Sequence, residues 1–378
     1  MSMKKTLFLF VSVLVLSLII ISCNAESLVE PDGKQFTQEI MTKLDNAFNE
    51  AMKKYEIPGA IVGIWSPDGN YLKAKGFSDL ATNELMKVEN HFRIGSVTKT
   101  FTGTIVLKLV EEGKINLDSS LAYYLPQYKF PKANKITVRM LGNMTSGIYS
   151  YSSDQNWLQS NLANNWETVY TADSLVKVAL QHPLDFEPGT KYNYTNTTPL
   201  LLGLICEKVT GKSMKQLFEE KIFLPYKLNN TLWPENRYLP FPFSHGYSKI
   251  NSTNEFKDMS LTNPSWGGTS GNLISNVNDL RAWIRLLGTG SLYSAAMHAE
   301  RIKWATGSSN AYGFAISNYA GDLNTLILGH DGAIWGYNTF AFYVPVKDLV
   351  IIVHVNYYSR GETLPADALG VDMLSVLD

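Results

Sequence analysis

The chain has 378 residues, with 33 Lys and Arg against 34 Asp and Glu, a formal net charge of −1, and 45% hydrophobic and 18% charged residues. That length holds one large domain or two closely joined ones around a sizeable core. Near-neutral charge with no Lys/Arg stripe excludes a nucleic-acid binder, and the composition is that of an ordinary globular protein, somewhat rich in aromatics.

The first segment reads as a targeting signal. Lys4 and Lys5 precede an apolar run from Leu7 to Ile21, broken only by Ser12 and Ser17. That run is shorter than the roughly 20 residues a spanning helix needs. A positive start, a short apolar middle and small residues after it form a secretory signal. The run ends IISC, which resembles a bacterial lipobox. On that reading residues 1–22 are a lipoprotein-type signal peptide and Cys23 becomes the lipidated first residue of a protein held at the cell envelope. Ordinary cleavage after Ala25, giving a periplasmic or extracellular protein, and an uncleaved anchor are the alternatives. The other cysteine, Cys206, lies in the apolar helical stretch LLLGLICEKVTG, as a small core residue rather than a nucleophile. With Cys23 lipidated or removed, no disulfide is possible.

Residues 23–35 form a polar linker. From Phe36 the apolar positions Phe36, Ile40, Leu44, Phe48 and Met52 recur at helical spacing and predict an amphipathic helix. IPGAIVGIWSPDGNYLKAKGFS predicts two strands, at about 60–65 and 71–76, joined by an SPDGN turn. After FRIGSVTKTF the pattern is helical, with Phe101, Ile105 and Leu109 on one face and Gly113 as the stop. Further helical pieces are TVRMLGNMTSG, TADSLVKVALQHPL, LLLGLICEKVTG, SMKQLFEEKIF and 277–287. The end returns to strands in NTLILGHDG, TFAFYVPV and DLVIIVHVN, and a last helix covers 364–377. Strands at both ends with helices between predict an α+β fold: one antiparallel sheet built from both chain ends, flanked by helices, with a mostly helical subdomain inserted. Within one domain over 36–378, the α/β part is 36–95 and 300–378 and the helical part 96–299.

The sequence has no HExxH helix, no Cys/His cluster at zinc spacing, no Walker loop, no GxGxxG and no GxSxG elbow. No metal or cofactor is expected. Ser96 and Lys99 form a Ser-x-x-Lys motif at the mouth of a helix. Residues three apart share a helix face, so the amine reaches the hydroxyl. The helix N-terminus offers free N–H groups and positive potential to a developing oxyanion. A lysine in a dry pocket loses its proton below its free value of about 10.4 and can act as a base. Alone the motif is weak. Ser2/Lys5 and Ser174/Lys177 match it too, and on this motif alone a helix cap beside a solvated lysine is the better explanation of Ser96.

Two later features change that balance. FEPGTKYNYTNTTPLLLG holds Tyr194-x-Asn196 just before an apolar helix, where a helix-start turn is the plainer explanation. LILGHDGAIWGYNTFAF holds His330, Asp331 and Gly332 at a strand end, where Asp-Gly alone would mark a hairpin turn. Three elements in this order are much harder to ascribe to chance. With IPGAIVGIWSPDG, LVEEGKINLDSSLAYYLP, ITVRMLGNMTSGI, SWGGTSGNLISNVNDL and YGFAI, the chain resembles the serine β-lactamase and penicillin-binding family from about Phe36 to Tyr357. Its pattern is nearest to secreted DD-carboxypeptidases and class C-type relatives.

The resemblance implies a serine hydrolase that passes through an acyl-Ser96 intermediate. Lys99, with Tyr194, takes the Ser96 proton. Tyr194 donates to the leaving group and serves as base for the deacylating water, as a tyrosinate held by cationic Lys99 and His330. Asn196 holds the substrate's acyl amide and Lys99. The N–H groups of Ser96 and Ala333 form the oxyanion hole, Gly332 lets substrate lie against the strand, and Trp266 either lines the pocket or is a core aromatic. The substrates implied are D-amino-acid or peptidoglycan-like peptides, including stem peptides, with β-lactams as covalent ligands. Amidase, esterase, β-lactamase or a slowly deacylating penicillin receptor are the alternatives. Three departures bear on substrate: Asp331 stands where a Thr or Ser usually helps bind the terminal carboxylate, Ala333 lacks a hydroxyl, and YGFAISNYAGDLNTLIL has no Arg or Lys. A distant residue such as Arg360 remains as a possible clamp.

Overall fold

Apolar residues fill GAIVGIWS, and the main sheet is built around that strand. In β1 (Gly59–Ser66), Ile61 packs into one core while Ala60, Val62 and Ile64 pack into a second on the opposite face. Burial on both faces is why the strand is a continuous apolar run rather than an alternating one. A two-residue turn at Pro67 and Asp68 leads into β2 (Gly69–Asp79), and β3 (Glu84–Leu85) follows. The computed structural model describes residues 33–249, 255–305, 311–321, 325–361 and 363–377. Residues 1–32, including Cys23, lie outside the described residues.

The remaining strands of the sheet come from the other end of the chain: β8 (Ser317–Asn318), β9 (Leu328–Ile334), β10 (Tyr337–Val344) and β11 (Leu349–Val355). Between the two sets lie two small pairs, β4 (Phe92–Arg93) with β7 (Ile274–Ser275) and β5 (Tyr247–Lys249) with β6 (Phe256–Asp258). The seven-stranded sheet runs β3-β2-β1-β11-β10-β9-β8, with every neighbouring pair antiparallel. β1 pairs with β11 in the register Ile61 to His354, which joins the chain's two ends at the sheet centre.

The helices are α1 (Gln38–Lys54), α2 (Thr98–Glu111), α3 (Leu121–Tyr124), α4 (Val138–Gly142), α5 (Gln155–Ala163), α6 (Ala172–Ala179), α7 (Thr197–Thr210), α8 (Met214–Phe218), α9 (Val277–Thr289), α10 (Ala295–Arg301) and α11 (Pro365–Ser375). α1 begins where Thr37 Oγ1 accepts from the N–H of Ile40, and it buries Leu44, Phe48 and Ala51. With Ala366, Leu369 and Met373 of α11 these cover one face of the sheet. The other face carries α2, α9 and the helical region. α2 is buried all round from Thr98 to Leu107, as expected of a helix in the middle of a large core. Its hydroxyls are satisfied internally or across the core: Thr100 donates to Val97 O at 2.7 Å and Thr102 to Thr269 O at 2.7 Å. Ring stacking of Phe101 on Trp283, centroids 3.9 Å apart, fixes the helix against α9. Cys206 is buried in α7, with its thiol pushed upward by burial. Met144 is also buried and takes a left-handed backbone, φ 63°.

The second Ser-x-x-Lys motif has an ordinary explanation. Ser174 is the N3 residue of a capping box with Thr171, and Lys177 pairs with Asp173 at 2.7 Å on the surface.

Candidate active site

Ser96 lies in a short 3₁₀ turn, Gly95–Val97, that feeds α2. It is not a helix cap, because no side chain caps this turn or α2. Lys99 is 0% exposed. Its Nζ donates to Ser96 Oγ, to Asn196 Oδ1 and to the carbonyl of Ser270, each at 2.8 Å. Among the described residues no carboxylate pairs with it. Burial pushes its pKa down to about 7, and the more distant charge of Asp331 opposes that shift. The amine is therefore largely neutral at slightly alkaline pH, hydrogen-bonded to a hydroxyl it can deprotonate.

Asn196 occupies the N-cap position of α7 without capping it. Its side chain bonds elsewhere: Oδ1 accepts from Lys99, and one Nδ2 hydrogen goes to Ser152 Oγ at 2.9 Å. Its backbone N–H donates to Ser150 Oγ at 3.0 Å. Two residues earlier, the ring of Tyr194 lies 4.8 Å from Lys99 Nζ. Burial, then the charge of Asp331, raise the Tyr194 phenol well above its usual value, and the adjacent Ser96 hydroxyl acts only partly against them.

Asp331 and Gly332 are not a turn. They lie inside β9, and the chain reverses at Trp335 and Gly336, where Gly336 has φ 84°. His330 is 2% exposed. Its Nδ1 is 2.6 Å from the carbonyl of Asp331, and its Nε2 is 3.0 Å from Tyr312 Oη. A carbonyl only accepts, so the bonds assign the proton to Nδ1 and make Nε2 the acceptor from Tyr312. Burial is the main cause that pushes the His330 pKa down to about 4, although Asp331 opposes it. The expectation of a tyrosinate held by two cations is thus corrected. His330 is a neutral hydrogen-bonded ring, Tyr194 keeps its proton, and Lys99 is the group poised to lose one.

The close approach of β9 to the 3₁₀ turn builds a pair of N–H donors. A Cβ on Gly332 would stand 2.0 Å from Ile94 O and 3.2 Å from Ser96 N. A Cβ on Gly95, whose φ is 51°, would stand 2.7 Å from Ala333 N. Only glycine fits at either place. Ile334 and Tyr337 flank a two-residue turn, so they form a hydrogen-bonded pair and Ala333, opposite Asn338, a non-hydrogen-bonded one. The N–H of Ala333 therefore points away from β10, with Gly95 of the 3₁₀ turn packed against Ala333 N, and the two backbone donors suit one oxyanion.

Trp266 ends a 3₁₀ turn (Pro264–Trp266) four residues before Ser270, and its ring packs with Trp157 and Trp166 at centroid distances of 6.0 and 5.3 Å. It belongs to an aromatic cluster that also reaches Trp335, just beyond Ala333. Arg360 is exposed and acts electrostatically on Tyr149 and Tyr358. Four contributors were not singled out from sequence: Ser150, Ser152, the Ser270 carbonyl and Tyr312. Two lie in stretches that carry the family resemblance, Ser270 in SWGGTSGNLISNVNDL and Tyr312 in YGFAI, but a hydroxyl or carbonyl used as a bracket leaves no residue-type signature.

A serine and a tyrosine grouped around a buried lysine, beside a glycine-lined strand on this sheet, define a serine hydrolase of the β-lactamase/transpeptidase fold. The chain belongs to the beta-lactamase family, whose description it matches over residues 44–372. A D-stereospecific amidohydrolase from a Streptomyces species is 30% identical, with a TM-score of 0.78 over 87% of this chain and 98% of that one. The D-amino acid amidase of Ochrobactrum anthropi SV3 shares the fold at 21% identity, with a TM-score of 0.78 over 90% of this chain and 98% of that one. Among curated proteins, the protein flp of Staphylococcus aureus strain MW2 is 25% identical over 86% of this chain, and a D-aminopeptidase of Cereibacter sphaeroides 26% identical over 86%. The chain spans 65% and 63% of those two proteins' lengths.

Proposed function

We propose that this chain hydrolyses amide bonds of D-amino-acid derivatives through an acyl-Ser96 intermediate, acting as an amidase or D-peptidase on substrates whose leaving group carries no free carboxylate. The observation that carries the reading is the neutralised, carboxylate-free amine of Lys99 at 2.8 Å from Ser96 Oγ. Ser96 Oγ attacks the carbonyl carbon while Lys99 takes the hydroxyl proton. The carbonyl oxygen gathers negative charge against the N–H groups of Ser96 and Ala333. The C–N bond then breaks, and the leaving nitrogen receives a proton from Tyr194, which is resupplied from protonated Lys99. Water attacks the acyl-enzyme, gives up its proton to the same pair, and the acid is released with Ser96 restored. Asn196 brackets Lys99 and offers its amide to the acyl side of the substrate.

Asp331 sets the substrate preference in this reading. Its half-exposed carboxylate is near enough to act on Lys99, Tyr192 and Tyr194. A free carboxylate on the leaving group would meet it at the position where a carboxypeptidase needs attraction. D-configuration is supported by the 30% identical D-stereospecific amidohydrolase. The test is a panel with product masses measured: D-alanine amide, D-Ala-D-Ala, its C-terminal amide, a p-nitrophenyl ester and nitrocefin. The amides are expected to turn over and the free-acid dipeptide to lag. Cleavage of D-Ala-D-Ala as fast as its amide sinks the assignment of Asp331. An envelope location through lipidated Cys23 is part of the same proposal, tested by labelling cells with radioactive palmitate and comparing Cys23→Ala.

A further inference from the structure

The donor N–H of Ala333 belongs to the same planar peptide unit as the carbonyl of Gly332. Whatever holds that carbonyl also aims the N–H. Thr339, opposite Gly332 in a hydrogen-bonded pair, holds it along the ladder, and Asn338 of β10 adds a second bond, donating from Nδ2 to Gly332 O at 3.0 Å. The same Nδ2 donates to Asp367 Oδ2 at 3.2 Å, and Asn338 Oδ1 accepts from the N–H of Ala366 at 2.7 Å. Both Nδ2 hydrogens and the Oδ1 acceptor are thereby engaged. Asn338 is 0% and Asp367 8% exposed. Asp367 lies in the first turn of α11, after Pro365 at the helix start, so the amide is locked to a rigid helix end.

We propose that Asn338 and Asp367 are positioning residues for the oxyanion hole, holding and polarising the Gly332–Ala333 peptide from behind. A hydrogen bond to a peptide oxygen draws charge from its nitrogen and strengthens the N–H as a donor. A buried amide bonded at both ends is also costly to rotate, so the donor stays aimed while charge develops in front of it. The sheet could have been packed here with an apolar side chain, as it is at Phe340 and Phe342 two and four residues on. A fully satisfied polar triad at the one position behind Ala333 is what distinguishes it. This inference rests on the reading of Ala333 N–H as an oxyanion donor.

The test uses phenylboronic acid, whose tetrahedral adduct with Ser96 places an oxygen in the oxyanion hole. Binding by the wild type and its loss in Ser96→Ala establish the site independently of the triad. Asn338→Leu and Asp367→Val are then compared with Asp367→Asn, which keeps an oxygen to accept from Asn338. Roughly tenfold losses in boronate affinity and in kcat are expected for the first two, smaller than for deleting a donor outright, with KM changed less than about threefold. Asp367→Asn is expected to recover most of the loss. Should Asn338→Leu not fold, Asp367→Val alone decides. Unchanged boronate affinity in folded Asp367→Val overturns the proposal, as does a loss confined to KM, or an Asp367→Asn no better than Asp367→Val.

Discussion

Lys99 Nζ stands 2.8 Å from Ser96 Oγ, and its other two partners, the Asn196 side chain and the Ser270 carbonyl, are both uncharged. A lysine buried in this way pays the full desolvation cost of its charge with no ion pair to offset it, and so its neutral form is favoured.

The pH dependence of acylation follows from that. Below about 7 the Lys99 amine is protonated and cannot accept from Ser96, so the rate falls with acid, and above about 7 it levels off. His330, pushed to about 4, changes no charge in this window, and Tyr194, raised well above its usual value, stays protonated through it. The second-order rate of labelling by a fluorescent phosphonate between pH 5.5 and 9 measures this. A rate that instead falls as pH rises through 7 excludes Lys99 as the base.

Removing single groups should separate their roles. Ser96→Ala is expected to abolish covalent labelling by phosphonate and by fluorescent penicillin. Tyr194→Phe should retain the fold, by circular dichroism, and lose about 10²–10⁴-fold in turnover, the usual worth of a positioned proton donor. Labelling of Ser96→Ala at the wild-type level contradicts the nucleophile assignment.

Asp331→Thr should improve cleavage of D-Ala-D-Ala relative to its amide by on the order of tenfold. Two unit charges at about 4 Å repel by roughly 4 kcal/mol at a near-surface dielectric, and the exposure of Asp331 reduces that to the 1–2 kcal/mol a tenfold ratio represents. The readout is the ratio of kcat/KM for the two substrates. A ratio that does not move shows that the leaving group lies elsewhere.

Gly332→Ala tests the contact between β9 and the 3₁₀ turn. Its Cβ would meet Ile94 O at 2.0 Å, and backbone cannot yield as a flexible side chain does. A loss of about 1–3 kcal/mol of stability in urea, with activity lost beyond it, is expected. A fully active variant would mean that the strand is free to shift.

Arg301 is a fully buried cation that serves the scaffold. It donates to Thr104 Oγ1 and Tyr293 Oη, and to the carbonyls of Thr100 and Ala315. Arg301→Met leaves those acceptors dry, at about 1–3 kcal/mol for an unsatisfied buried group. Urea unfolding should show that loss, while the pH profile of labelling keeps its midpoint.

Much of this molecule was legible from pattern alone. The helix over Gln38–Lys54 follows from Leu44, Phe48 and their neighbours, and β1, β9, β10 and β11 from apolar runs between turn residues. Short elements escaped, such as α10 and the pair of β4 with β7, because two or seven residues hold too little periodicity to outweigh tertiary context. At the site, side-chain types marked Ser96, Lys99, Tyr194 and Asn196 for scrutiny. The charge states were not legible. Whether His330 is a cation depends on its 2% exposure and on Tyr312, both products of packing. The turn that Asp331–Gly332 alone would mark does not form, since that local signal is overridden where the strand passes flat against Ile94.

The pairing of β1 with β11 has a consequence for how the protein comes into being. During synthesis, Ser96 and Lys99 emerge long before β9 supplies Gly332 and Ala333, and before β11 joins the early strands. A chain of such long-range pairings folds late and slowly. Until its final strands arrive, the nascent polypeptide holds Ser96 without the backbone of Gly332 and Ala333 that packs against it in the folded protein.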